Sequence, residues 1–410
     1  MSAPLDGIRI LDLTTVILGP YATQILGDMG ADIVKVETPA GDSTRYTGPG
    51  RSSDMAALFM GVNRNKRSIV LDLKQPEALD ALYALIDRSD VLVHNMRPQK
   101  ATKLGLSSER VLARNPKIVF AGLYGYREGG VYSGRPAYDD VIQAQCGIAG
   151  LMADADGRPK FAPTVMADKT CALAAAYSIL AALLKRERTG KGGVVEMPMF
   201  ETMASFVLVE HLYGKMFQGE GWHSGYTRLL NPWRRPHVTK DGYIAMMAYS
   251  DVQWQRFWHE VDRHDLAQDP RFASLASRTT HIADLYRLAG ECLKARTTAE
   301  WESALTRLEI PNARVNSLDA LLEDPHLRQV GFFRQFEHET EGNIILTDAP
   351  TRFDNEVNQL RQGPPKLGQH SLEILREAGL DEGAIERLLA VGATVDHQAQ
   401  AERLAVSAAG

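Results

Sequence analysis

The chain has 410 residues, 44% of them hydrophobic and 24% charged, with a formal net charge of −5. That length supports roughly two or three domains, and the composition is that of an ordinary soluble globular protein. The acidic balance disfavours nucleic acid, whose phosphates need a positive surface, but leaves room for a local basic pocket.

Cys146, Cys171 and Cys292 lie far apart without CxxC spacing, which disfavours a disulfide scaffold or a thiolate metal site. The histidines show no HExxH arrangement, and no metal is expected. The opening MSAPLDGIRILDLTTVILG lacks a basic leader and reads as a first strand rather than a signal peptide. No run reaches roughly 18 uninterrupted apolar residues, so no membrane span is expected. The expected compartment is the cytoplasm.

In chain order, Ile8–Leu13 reads as a strand, Ala22–Met29 as a helix and Ala31–Glu37 as a second strand. Further strands are predicted at Ser68–Leu73, Val91–His94 and Ile118–Leu123, with helices at Pro76–Asp87 and Glu109–Ala113. This rhythm predicts a mainly parallel sheet covered by helices on both faces. The turn after the first strand, TTVILGPYATQ, lacks the GxGxxG that close approach to a pyrophosphate needs, so a dinucleotide site is not expected.

A long helix is predicted from Asp168 to Arg188, stopped by Thr189-Gly190-Lys191-Gly192-Gly193. That glycine-rich stretch is no Walker loop, because no Ser or Thr follows its Gly-Lys. A strand at Val194–Met197 and a helix at Pro198–Tyr213 follow. Residues 218–236, rich in Gly, Arg and aromatics, read as a loop or linker. A strand at Gly242–Ala248 and helices at Asp251–Val261, Ala283–Ala295 and Ala299–Leu308 then form a smaller unit. Strands at Gln335–His338 and Asn343–Thr347, a helix at Ser371–Ala378 and a frayed Ala-rich terminus complete the pattern.

Asp168 starts the long helix, where free N–H groups and the positive dipole end favour an ionised carboxylate. Aspartate is also a preferred N-cap residue, so the position alone fits a bland cap at least as well as a reactive group.

Several stretches, in order, resemble the hallmarks of the family III (CaiB/BaiF) CoA-transferases. They are LDGIRILDLTTVILGPYATQILGDMGADIVKVE, NRNKRSIVLDLK, VLVHNMRP, YDDVIQAQCG, PTVMADKTCALAAAYSILAALLKRERTGKGG and DGYIAMMAYSDVQWQRFW. The resemblance reaches roughly residue 365. It implies an α/β fold: a large Rossmann-like parallel-sheet domain of residues 1–224 and 326–410, with a smaller α+β domain of residues 225–325 inserted. It also implies an interlocked homodimer.

The same resemblance implies that Asp168 is a nucleophile that moves CoA from an acyl-CoA thioester to a free carboxylic acid through aspartyl anhydride and aspartyl-CoA intermediates. No permanently bound cofactor is implied; acyl-CoA is the substrate. The implied CoA contacts are Leu71, Lys74, Asn95, Met96, Arg97, Lys103, Ala137, Tyr138 and Asp139. Lys74, Arg97 and Lys103 suit the phosphates, although exposed basic residues are common on any surface.

The related racemases read Gly-His-Asp where this chain has Ala137-Tyr138-Asp139. A phenol with an ordinary pKa of about 10 poorly replaces an imidazole as a proton carrier, which favours CoA exchange over racemisation. Formyl-CoA transferase has Gln where Ile17 stands and Arg where Thr38 stands, so an acyl group larger than formyl or oxalyl is expected, such as a C4–C6 mono- or dicarboxylate. Arg51, Arg228, Arg234 and Arg235 are candidates for a distal carboxylate. The alternatives are an acyl-CoA racemase or isomerase of the same fold, and a non-catalytic CoA-binding protein.

Overall fold

In the computed structural model, which describes residues 3–354 and 360–397, six strands form one sheet: β1 (Arg9–Leu13), β2 (Asp32–Glu37), β3 (Lys66–Val70), β4 (Val91–His94), β5 (Val119–Tyr124) and β6 (Gly193–Pro198). Their order is β3-β2-β1-β4-β5-β6 and every pairing is parallel. Successive side chains of a strand point to opposite faces. Ile10, Ile33, Val91 and Val119 therefore enter one core, and Leu11, Val34, Leu92 and Phe120 enter the other. The first core is closed by the helices Leu18–Asp28, Met166–Thr189 and Met199–His211, the second by Pro76–Ile86, Ser108–Arg114, Ser371–Glu377 and Glu382–Ala390. A helix-covered parallel sheet is thus present as the alternating β and α pattern predicts.

The chain divides into two compact units, one built from both chain ends, up to Val207 and again from Val330, the other spanning Leu208–Gln329. The boundaries expected from sequence were 225 and 325. The second unit contains an antiparallel sheet of β7 (His237–Val238), β8 (Tyr243–Met246) and β9 (Asn312–Arg314). Its helices Asp251–Glu260 and Thr298–Arg307 begin with capping boxes, Ser250 with Gln253 and Thr297 with Glu300. Trp254, Phe257, Trp258 and Trp301 fill its core. In the first unit the hairpin of β10 (Phe333–His338) and β11 (Gly342–Thr347) follows the return of the chain.

Several boundaries differ from expectation for identifiable reasons. The first helix starts at Leu18, not Ala22, because Pro20 lies in its first turn, where its missing N–H costs nothing. The third strand runs Lys66–Val70 rather than Ser68–Leu73, since Lys66 is buried against Asp12, an environment its sequence neighbours do not announce. The helices Asp139–Gln145 and Glu382–Ala390 are absent from the sequence pattern. The expected frayed terminus falls largely outside the described residues.

The long helix Met166–Thr189 ends as predicted, with Gly190 in the left-handed conformation at φ 69°. It is long and apolar enough to cross a membrane by length and composition, yet half of its most apolar stretch is buried inside the protein. Ala172, Ala175 and Ile179 join the first core.

Candidate active site

A cleft of about 500 Å³ opens along the carboxyl ends of the parallel strands. Leu13, Glu37, Leu71, Asn95 and Tyr124 reach it from the ends of β1 to β5, and Met199 from just beyond β6. The strand order reverses between β1 and β4, and open α/β sheets bind ligands outside such a switch point.

The loops after β1 and β4 are joined there. Asn95 accepts the Thr15 N–H at 3.1 Å and donates to the Thr15 carbonyl at 2.9 Å. Beneath them lies a buried polar network. Asp42 accepts the Val16 N–H at 3.2 Å and pairs with Lys35 at 3.1 Å, while Lys35 also donates to the Thr14 carbonyl at 2.9 Å. Asp12 accepts the Thr14 N–H at 2.9 Å and pairs with Lys66 at 3.0 Å. Burial alone would raise the Asp12 pKa, but Lys66 and Lys35 outweigh it and hold the carboxyl well below the usual range. The network keeps Val16 at φ 73°. That conformation costs a β-branched residue of order 1–3 kcal/mol and persists only where the surroundings over-determine it.

On the other side, Gly125 lets β5 exit close to Ala137. A Cβ at position 125 would lie 2.5 Å from the Ala137 Cβ. This approach places Tyr124 and Tyr126 beside Ala137 and Tyr138 in the cleft wall.

Asp168 also lines the cleft. It is the third residue of the long helix, not its cap; Val165 holds the cap position and makes no side-chain cap bond. The Asp168 N–H donates to Asp139 Oδ1 at 2.9 Å. Burial, reinforced by the Asp139 charge, raises the Asp168 pKa to about 7. The expectation of a carboxylate held ionised by the helix terminus is therefore corrected. The residue is 9% exposed, and none of the described residues donates a hydrogen bond to its carboxyl.

Of the expected contacts, Leu71, Lys74, Asn95, Met96, Arg97, Ala137 and Tyr138 line this cleft together with Asp168. Lys103 does not. In the helix Pro98–Lys103 the cleft-facing side carries Arg97, Lys100 and Leu104, at positions i, i+3 and i+7, and Lys103 falls off that side. Asp139 does not reach the cleft either; it is buried behind Asp168.

Arg51 holds the backbone of Glu341, Arg228 bonds the Tyr286 hydroxyl at 2.8 Å, and Arg235 lies over Trp233. None of these arginines, nor Arg234, lines the cleft. Ile17, flagged by its difference from formyl-CoA transferase, is buried beside the cleft rather than in its wall.

Sequence reasoning missed Lys100 and Arg135, which bring the cations of the wall to four with Lys74 and Arg97. Heptad-like spacing from Arg97 was the signal for Lys100. No local signal marks Arg135, which stacks on Tyr132 at 4.6 Å. Among the described residues none of these four forms a salt bridge, although Glu37, Asp42, Asp72 and Glu128 also line the cleft. His94 at the end of β4 is fully buried, and burial lowers its pKa to about 4, so it adds no positive charge.

Four cations and a buried carboxyl with a raised pKa lining one cleft suit a phosphorylated thioester and a carboxyl nucleophile. Residues 5–371 match the model of CoA-transferase family III. The chain belongs to that family and is an enzyme of the CoA-transferase type. It is 32% identical over 400 residues to the mouse succinyl-CoA:glutarate CoA-transferase, covering 96% of this chain and 91% of that protein. It is 31% identical to the succinyl-CoA:mesaconate CoA-transferase of Haloarcula marismortui, covering 92% and 97%. A CaiB/BaiF family protein from Brucella suis, 28% identical, superposes with a TM-score of 0.78 over 92% of this chain and 100% of that one.

Proposed function

We propose that this enzyme transfers CoA between a dicarboxylic acyl-CoA and a free carboxylic acid, with Asp168 as the nucleophile. The observation that carries the reading is the placement of the buried Asp168 carboxyl in the same cleft as four cations. The dicarboxylate preference is supported by the relatives named for succinyl-CoA exchange with glutarate or mesaconate.

In the first step an Asp168 oxygen attacks the thioester carbonyl and the C–S bond breaks, giving a mixed anhydride and CoA thiolate. The thiolate then attacks the Asp168 carbonyl of the anhydride, releasing the donor acid and leaving an aspartyl-CoA thioester. The acceptor carboxylate attacks that thioester, expelling thiolate again. Attack of the thiolate on the acceptor acyl carbon yields the new acyl-CoA and regenerates Asp168. Splitting one exchange into these steps is the gain of covalent catalysis, and a carboxylate with a raised pKa is a stronger nucleophile than an ordinary one.

Lys74, Arg97 and Lys100 would hold the CoA phosphates by charge-assisted bonds. Leu71 and Met96 supply apolar wall, Ala137 and Tyr138 flank the acyl end, and Asn95 shapes the mouth. A homodimer belongs to the same reading; the exposed apolar residues Leu173, Tyr177 and Leu184 along the long helix support it. The three free cysteines support a reducing, cytoplasmic setting.

The test is incubation with a panel of acyl-CoAs and carboxylic acids, read by mass spectrometry for new thioesters and for an adduct on Asp168. Succinyl-CoA with glutarate should exchange, and Asp168→Ala should abolish both exchange and adduct. Exchange undiminished in Asp168→Ala rejects the reading.

A further inference from the structure

We propose that Asp139 is a positioning residue for Asp168, capping the long helix from a neighbouring element and setting the charge around the Asp168 carboxyl. The inference rests on the reading of Asp168 as nucleophile and reassigns Asp139 from a CoA contact to a partner of that nucleophile.

The third N–H of a helix has no partner within it. Here that donor belongs to Asp168, and Asp139 Oδ1 accepts it at 2.9 Å. Asp139 Oδ2 accepts from the Gln143 side chain, one turn along the helix Asp139–Gln145. Gln143 in turn accepts the Ala162 N–H at 2.9 Å and donates to the Thr164 carbonyl at 3.4 Å. Two side chains on one helix face therefore hold both the segment entering the long helix and its first turn. Asp139, Gln143 and Asp168 are all buried.

A cap alone would need only an acceptor atom. Asp139 also brings a charge, and neither carboxyl pairs with a Lys or Arg among the described residues. The other titratable groups around Asp168 offer no compensation. Cys171, one turn along, and Cys146, at the end of the neighbouring helix, are thiols whose pKa values burial raises. Tyr124 and Tyr138 stand in the cleft wall, and Lys169 turns its ammonium to the Thr164 hydroxyl. Burial first, and the Asp139 charge second, hold Asp168 at a pKa of about 7. A pair of buried carboxyls thus keeps one of them basic.

The test is a carbon-13 carboxyl NMR titration of the whole protein, with the Asp168 signal assigned by its loss in Asp168→Asn. The midpoint should fall by roughly one unit or more in Asp139→Asn, which removes the charge but keeps an acceptor for the Asp168 amide. Burial should still hold it above an ordinary aspartate. In the exchange assay the acid limb of kcat/KM should move down by the same amount, with KM for acyl-CoA changed by less than about twofold. Asp139→Ala, which also removes the cap, should lower kcat by about tenfold or more, a larger loss at pH 8 than Asp139→Asn causes. An unmoved Asp168 midpoint in Asp139→Asn overturns the proposal, as does a rise in KM with an unmoved acid limb. Failure of the wild-type enzyme to exchange CoA would sink the transferase reading, whereas the NMR titration judges the Asp139–Asp168 coupling independently.

Discussion

Asn95 satisfies both backbone polar groups of Thr15, accepting its N–H at 3.1 Å and donating to its carbonyl at 2.9 Å. The two residues are 80 positions apart and belong to the loops after β4 and β1, the pair of strands at which the sheet order reverses. Removing the amide in Asn95→Ala loses two bonds worth about 1 kcal/mol each, partly replaced by water at this exposed position. Calorimetric titration with CoA should show affinity weakened about three- to tenfold. Asn95→Asp should do no better than Ala, because a carboxylate placed against the Thr15 carbonyl cannot donate to it.

Lys100 and Lys103 share one short helix but not one environment. A charge-assisted bond to a phosphate contributes roughly 1.5–3 kcal/mol, so Lys100→Ala should weaken CoA binding by about tenfold or more. Lys103→Ala should change it by less than about twofold, with the salt dependence of binding reduced only by the Lys100 substitution. Equal losses from both variants would place the phosphates elsewhere.

The contact between Gly125 and Ala137 yields a two-residue test. Gly125→Ala puts a methyl group 2.5 Å from the Ala137 Cβ, which is not the end of a flexible side chain. Overpacking of this kind costs roughly 1–3 kcal/mol and should displace the Ala137–Tyr138 wall, lowering kcat/KM. Adding Ala137→Gly should recover most of both losses. A double variant no better than Gly125→Ala would show that the close approach does not shape the wall.

Asp168 should make stability depend on pH with a definite sign. An ordinary aspartate titrates at 3.8 and folded Asp168 at about 7, so between these values the folded state binds more protons than the unfolded one. Its contribution to stability is therefore complete below the lower value and lost as pH rises through the higher one. Asp168→Asn carries no such loss. Its advantage over wild type in urea unfolding should grow from near zero at pH 4 to roughly 2–4 kcal/mol at pH 8. Parallel pH profiles for the two proteins would contradict the raised pKa.

The alternation of Ile10 with Leu11 and of Ile33 with Val34 was legible because a strand's two faces are a property of local geometry. Gly190 announced the end of the long helix for the same reason, since only the residue itself need adopt φ 69°. Asp168 stood out by family motif and by its place near a helix start. Its true position three residues into the helix was hidden, because Val165, at the cap, has no capping side chain to mark it.

Sequence by itself determined the fold class, the parallel sheet and the two-faced core, which follow from periodicity and turn chemistry, while Asp168 was singled out by the family resemblance. Tertiary structure alone decided what surrounds Asp168. Asp139 lies 29 residues away, Asn95 80 residues from Thr15, and Lys66 54 from Asp12. Burial and charge act through space, so the protonation of Asp168, the choice of Lys100 over Lys103 and the strain at Val16 exist only once the strand ends have been brought together.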